Sequence, residues 1–290
     1  MDVVLLFNGL GNQMSQYAFY LAKREHCKCH YIYDPRSSNE HNGYELDYAF
    51  NIKANSITQR ILTYIYIYGT GHPFISKILR PFINIIREPL NYDYNDNYIK
   101  NKGKGIINFY IGGWHSEKYF INIREQILNK FSFNTKNLDE SNKQWAKIIS
   151  KDPHSISIHI RRGDYVKIDP NDYYQFNNVS TLKYYNQAIN IFKKKLGNSR
   201  FYIFSNDIEW CQKNFIGNNY YFINVNKGKD SIYDLYLMTL CKHHINANST
   251  FSWWGAWLSN NTNKEVIVPH DFIRNVETKD IYPNSWIKLE

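Results

Sequence analysis

The sequence predicts an α/β protein with parallel sheets, built in two halves, and three observations carry that prediction. In the second half, apolar runs near 155–160, 200–204, 220–225, 243–247 and 265–268 alternate with helix-periodic stretches near 181–195, 207–215, 231–242 and 251–259. Alternation of that kind builds βαβ crossovers and a doubly wound sheet. At the other end of the chain, Asp2 to Phe7 reads as a strand that runs through a glycine-bearing turn, Asn8-Gly9-Leu10-Gly11-Asn12-Gln13, into a helix. Between the halves, Lys151-Asp152-Pro153 breaks a helical stretch. The boundary is therefore set there, giving domains over 1–150 and 151–290.

In order along the first half, a strand over 2–7 is followed by a helix over 14–23 and a strand over 28–33. Residues 51–87 read as helical, and the polar, glycine-tipped stretch over 91–105 reads as loop. A strand over 106–111 turns at Gly112-Gly113-Trp114 into a helix over 116–131, and a last helix covers 138–150. In the second half, Ser155-Ile156-Ser157-Ile158-His159-Ile160 alternates apolar and polar residues, the pattern of a strand with two different faces.

The chain has 290 residues and is 43% hydrophobic, enough for a large core and too much for a disordered segment. A net charge of +9 fits a polyanionic substrate, a nucleic acid or an acidic membrane surface. The basic run Lys193-Lys194-Lys195 sits at a predicted helix end, where it offsets the dipole, so a nucleic-acid partner is not expected. The four cysteines lack zinc spacing and read as reduced thiols. The opening residues resemble a strand and not a signal peptide, and no apolar run is long enough to span a membrane. These features predict a cytoplasmic protein. Ile61 to Ile67 and Phe74 to Ile86, with Lys77, Arg80 and Arg87, read either as an interfacial segment at the inner face of the cell membrane or as ordinary helix packing.

The chemistry-bearing residues gather at predicted strand ends. His159-Ile160-Arg161-Arg162-Gly163-Asp164 closes the strand over 155–160, and guanidinium groups at the carboxyl edge of a parallel sheet suit phosphate or carboxylate ligands. Asp164 is spaced to pair with Arg162, leaving Arg161 for the ligand; an interdomain salt bridge is the bland reading. Ser205-Asn206-Asp207 ends the next strand, where the carboxylate suits a guanine edge or, equally, a helix cap. Asn248-Ser249-Thr250-Phe251 ends another and opens a helix, a setting for phosphate oxygens. In the first half, Gly9, Gly11, Asn12 and Gln13 form an incomplete dinucleotide fingerprint, since Met14 stands where a third glycine is needed. No Asp-x-Asp clamp or zinc-type spacing occurs, so no metal and no cofactor are expected.

Taken together, these residues resemble glycosyltransferase family 11, the α-1,2-fucosyltransferases, in a bacterial form. The resemblance rests on Gly9-Leu10-Gly11-Asn12-Gln13-Met14, Gln16-Tyr17-Ala18, Glu45-Leu46-Asp47, Trp114 with Ser116 to Phe120, and His159 to Tyr165. It continues through Tyr184-Tyr185, Phe204 to Asp207 with Trp210-Cys211, and Asn248 to Leu258. It implies a GT-B-like fold with two Rossmann-like domains facing a cleft. The 151–290 half would bind GDP-fucose, and the 1–150 half would take the acceptor, a galactose-terminated oligosaccharide or lipid-linked glycan. It implies metal-independent, inverting transfer to the 2-hydroxyl of a terminal β-galactose. Arg161 would grip the β-phosphate, His159 and Asp207 would lie at the guanosine end, and Ser249, Thr250 and Phe251 would wrap the diphosphate. Arg162 and Asn206 are counted among these donor-binding residues, Asp164 is a candidate base or a loop brace, and Gly9, Gly11, Asn12, Gln13 and Trp114 fall on the acceptor side. The chain departs from the family pattern at Ser15, His115, His244 and Asn246. The alternatives are a fucosyltransferase of another linkage or of protein hydroxyls, a non-catalytic glycan- or nucleotide-binding protein, and a dinucleotide-dependent oxidoreductase resting on Gly9 and Gly11.

Overall fold

The structure is a computed structural model that describes residues 1–39, 41–166 and 175–290. Its chain divides into two units, Met1–Phe133 with Lys279–Tyr282, and Asn134–Thr278 with Pro283–Glu290. The break expected at 151 thus falls inside the second unit. The reason is packing: Trp145, Ala146 and Ile149 of the helix before the break lie against Tyr202, Leu237 and Met238 in the core of that unit.

The first unit contains β1 (Asp2–Leu6), α1 (Leu10–Arg24), β2 (Cys29–Tyr33), α2 (Leu46–Phe50), α3 (Ile57–Gly71), α4 (Ile75–Leu79), β3 (Ile83–Arg87), α5 (Asn97–Lys100), β4 (Ile107–Ile111) and α6 (Arg124–Lys130). Its sheet runs β2-β1-β4-β3, all parallel. Val3, Leu5, Ile32 and Phe109 meet Leu62 and Tyr66 of α3 in one core. Each large side chain so buried contributes about 1.5–3 kcal/mol. Two expectations are corrected here. Residues 51–87 are not one helix: α3 opens with a capping box of Ser56 and Gln59 and stops before Pro73, after which Ile83–Arg87 pairs with β4 as an edge strand. The stretch 116–131 is two short 3-10 turns followed by the seven-residue α6.

The second unit contains α7 (Glu140–Lys151), β5 (Ser155–Ile160), α8 (Gly163–Val166), α9 (Leu182–Leu196), β6 (Arg200–Ser205), α10 (Ile208–Asn214), β7 (Tyr220–Ile223), α11 (Ser231–Leu240), β8 (His243–Ile245), α12 (Thr250–Leu258), β9 (Val266–Pro269) and β10 (Ile287–Leu289). The sheet order is β10-β9-β8-β5-β6-β7, again all parallel. The alternation of β5 is realised on its two faces. Ile156, Ile158 and Ile160 pack with Tyr185, Ile189 and Phe192 of α9. Ser157 faces the other side, in register with Tyr202, whose ring joins Leu237 and Met238 of α11. Strand β10 has no counterpart in the sequence reading, because its three residues are too few to show a period.

Candidate functional site

In each sheet two central neighbouring strands end side by side, and in the second sheet the chain, having wound outward through β6 and β7, returns beside β5 to wind outward the other way, which leaves a crevice there. In the first sheet those strands are β1 and β4; in the second they are β5 and β8. The two crevices are built very differently.

The crevice of the first sheet is filled by the protein's own side chains. Buried Gln16 bridges the two strand ends: its Oε1 accepts from Phe7 N at 2.9 Å and its Nε2 donates to Gly112 O at 3.1 Å. The start of α1, where a dinucleotide phosphate would sit, already holds a carboxylate, for Glu45 Oε2 accepts from Leu10 N at 2.9 Å. Gln13 is fully buried and ties three segments, donating to Asn8 O at 2.6 Å and Gly43 O at 2.8 Å and accepting from Glu45 N at 2.9 Å. Gly9 has φ −76° and an ordinary distance to His41, so no ligand approach is needed to explain it. Gly11 is buried in α1, and Asn12 is half-buried beside it. This arrangement removes the support for an oxidoreductase reading.

Trp114 is 0% exposed, with its ring stacked on Phe19 at 4.1 Å, so it offers no surface to an acceptor in this conformation. Its backbone takes φ +52° and its N donates to Glu88 Oε2 at 2.7 Å. Glu88 was not among the expected site residues. Burial pushes its carboxyl up to about 8, against the pull of the Trp114 and Gly113 amides, and its Oε1 has no hydrogen-bond partner among the described residues. His115, next to Trp114 in sequence, is also buried, which lowers its imidazole to about 3. A side chain at Gly113 would lie 2.2 Å from that imidazole, so glycine is required there.

The crevice of the second sheet brings together the residues expected to bind an anion. His159 lies at the end of β5, 6% exposed, with its ring 5.5 Å from that of Phe251. Burial, with Arg161 beside it, lowers its imidazole to about 3, so it is neutral at physiological pH. Its Nδ1 has no hydrogen-bond partner among the described residues, and Tyr185 Oη fixes its backbone by donating to His159 O at 3.0 Å. Arg161 follows, half-buried, its guanidinium 5.7 Å from the Tyr165 ring centre. On the β8 side, Asn248 clamps the loop: its Nδ2 donates to Phe176 O at 3.1 Å and Phe272 O at 3.0 Å, while Ser180 Oγ donates to its Oδ1 at 2.8 Å. Ser249 is then the residue before α12, and its side chain makes no capping hydrogen bond to that helix. The amides of Thr250, Phe251 and Ser252 lie in the first turn, where no intrahelical acceptor exists for them. A neutral imidazole, a guanidinium and an uncapped helix start thus share one sheet edge.

Arg162 has a separate task. Its Nε donates to Asp207 Oδ2 at 3.0 Å and its guanidinium covers the Trp210 ring at 4.1 Å. Asp207 also caps α10, accepting from Trp210 N at 3.1 Å, and the Arg162 hydrogen bond holds its carboxyl below the usual range. Asn206 Oδ1 accepts from Arg162 N at 2.9 Å, and a side chain at Gly163 would meet Asn206 Nδ2 at 2.5 Å. Arg162 therefore pairs across two strands; the side chain of Asp164, its expected partner, lies outside the described residues. Trp210 escaped the sequence reading as a platform for arginine. Its one signal is the three-residue spacing from Asp207 at a helix start. Among the described residues no group of three or more His, Cys, Asp or Glu is arranged to hold a metal ion.

Two parallel α/β units of this kind are the architecture of GT-B-like glycosyltransferases. The chain aligns over 88% of its length with 91% of the NodZ α-1,6-fucosyltransferase co-crystallised with GDP, at a TM-score of 0.51 and 12% identity, a likeness of fold alone. Residues 69–290 match the profile of Glycosyl transferase family 11, and the chain belongs to that family. It is 32% identical to an α-1,2-colitosyltransferase of Escherichia coli, over 99% of this chain and 98% of that one. It is also 27% identical to galactoside α-(1,2)-fucosyltransferase 2 of Pongo pygmaeus, over 58% of this chain and 51% of that one.

Proposed function

We propose that this glycosyltransferase moves L-fucose from GDP-fucose to the 2-hydroxyl of a terminal β-galactose in a glycan, with inversion at the anomeric carbon. The observation that carries the reading is the second sheet's crevice, where Arg161 and the uncapped start of α12 flank one strand junction. Membership of family 11 and the similarity to a galactoside α-(1,2)-fucosyltransferase support the donor and the linkage. On this reading the second unit holds the donor and the first takes the acceptor. Arg161 grips the β-phosphate, the amides of α12 and Ser249 to Phe251 surround the diphosphate, and His159, Asn206 and Asp207 lie toward the guanosine. The acceptor oxygen attacks C1 as the bond from C1 to the diphosphate oxygen breaks, and that electron pair stays on GDP. Fixed cationic and amide donors stabilise the charge that develops there, so neither metal nor cofactor takes part. The hydroxyl proton leaves to solvent or to a carboxylate, for which Asp164 is the candidate.

A second donor has a specific observation behind it, the likeness to an α-1,2-colitosyltransferase over almost the whole chain. The test is turnover of GDP-fucose and GDP-colitose by the full chain, with a panel of galactose-terminated acceptors, with and without EDTA, and product linkage by NMR. Fucosyl transfer in α-1,2 linkage, unaffected by EDTA, is the expected result. Turnover of the colitosyl donor alone would move the reading to that sugar. Loss of activity in EDTA would overturn the metal-free site, and GDP binding without transfer to any acceptor would make this a binding protein.

A further inference from the structure

Helix α3 is apolar on both sides. Gln59, Leu62, Tyr66 and Gly69 face the core. At 100° per residue, Ile57, Ile61, Tyr64 and Tyr68 fall on the opposite side. Ile57 is 78% exposed, Ile61 55% and Tyr64 56%. A helix on a water-facing surface ordinarily turns a polar stripe outward. The following segment repeats the anomaly: Phe74, Ile78 and Phe82, spaced four apart along α4 and the 3-10 turn after it, are 74%, 69% and 46% exposed. An apolar surface of this extent marks an interaction site.

The charge around it says what the partner is. Residues 48–87 contain Lys53, Arg60, Lys77, Arg80 and Arg87 and no Asp or Glu at all. All five cations are exposed. Next to the edge strand, an open cleft of about 540 Å³ lined by Pro81, Ile83 and Asn84 adds Lys102 and Lys104. Exposed aromatic and aliphatic side chains set among cations, without a compensating acid, are the pattern of a helix lying in the interface of an anionic bilayer. A second copy of the chain would bring the same positive charge to the contact and be repelled. No described helix is long and apolar enough to cross a membrane, so the contact is one of surface.

We propose that α3, α4 and the turn through Phe82 dock the first unit on an anionic lipid surface, with the apolar side chains entering the headgroup layer and Arg60, Lys77 and Arg80 pairing with lipid phosphates. The docking is independent of which sugar the second unit transfers. The test is co-sedimentation of the full chain with phosphatidylglycerol-containing vesicles and with phosphatidylcholine vesicles. The wild type is expected to bind the anionic vesicles at low salt, to be released at high salt, and to ignore the zwitterionic ones. Phe74→Ser with Ile78→Ser, and separately Lys77→Glu with Arg80→Glu, are each expected to weaken binding about tenfold or more. Both pairs are exposed, so melting temperature and turnover of a soluble acceptor should be unchanged. Absence of vesicle binding, or binding that survives both double variants, would overturn the proposal. So would wild-type self-association that the same substitutions abolish, because the face would then belong to a second copy.

Discussion

The two sheets of this protein solve the same topological problem in opposite ways. Each has two central strands that end side by side, and only in the second does the winding reverse between them. In the first sheet Gln16 laces the strand ends together and Glu45 occupies the helix start. In the second, the corresponding ends present Arg161, a neutral His159 and an uncapped α12. A parallel sheet therefore creates the place for a ligand without dictating that one binds; the side chains at the crevice decide. Glycine-bearing turns are poor guides to that decision, since Gly9 and Gly11 stand at the closed crevice.

Removing the charge from the open crevice should have the largest effect. Arg161→Ala is expected to lower kcat by about 10²–10³, the loss of one fixed donor to a developing oxyanion, or about 2.7–4 kcal/mol of barrier. Thermal unfolding should be unchanged, because the side chain is half-buried at a strand end and outside the core clusters. Wild-type turnover in that variant would remove Arg161 from the reaction and erase the distinction between the two crevices.

The closed crevice should respond in the opposite sense. Gln16→Leu keeps the volume but strips partners from Phe7 N and Gly112 O. A cost of about 1–3 kcal/mol for each group left unpaired is expected, read from the denaturant midpoint. GDP binding, measured below the transition, should keep its wild-type affinity. A variant of unchanged stability would mean that the lacing does not hold the sheet.

The comparison is sharpened further through pH. Glu88 has a folded-state pKa of about 8, above the ordinary value of 4.5, because burial disfavours its charge. Its contribution to stability is therefore full below pH 4.5 and is lost progressively as pH rises to about 8. Each pH unit in that window is worth at most about 1.4 kcal/mol. Glu88→Gln, which keeps the acceptor for Trp114 N, should flatten this slope and raise the melting temperature at pH 8 relative to wild type. An unchanged pH profile would show that the carboxyl finds a compensating partner in solution.

The second unit was the more legible of the two. Its strands are flanked by helices with clear periods, and the polar ends at His159, Asp207 and Ser249 stand at the ends of β5, β6 and β8, where the alternation places them. The first unit was harder. Apolar residues recur on both sides of the helix over Ile57–Gly71, and the five residues Ile83–Arg87 are too few to set a strand period against that background, so the sequence does not separate the edge strand from the helices before it. The same apolar excess is what remains exposed on α3 and α4.

The sequence by itself determined the α/β class, the parallel strands and the family, because alternation and a long run of ordered motifs are local properties of the chain. Only the tertiary structure decided which motif residues are buried in a core and which stand at a strand end. Trp114 carries the family resemblance yet is wholly buried against Phe19, and Gln13 is a clamp between segments far apart in the chain. The partner of Arg162 is Asp207, 45 residues away, since the two strands that carry them lie side by side and their ends project together. Whether a charge is paired depends on what the fold brings within hydrogen-bond reach, and spacing along the chain does not contain that distance.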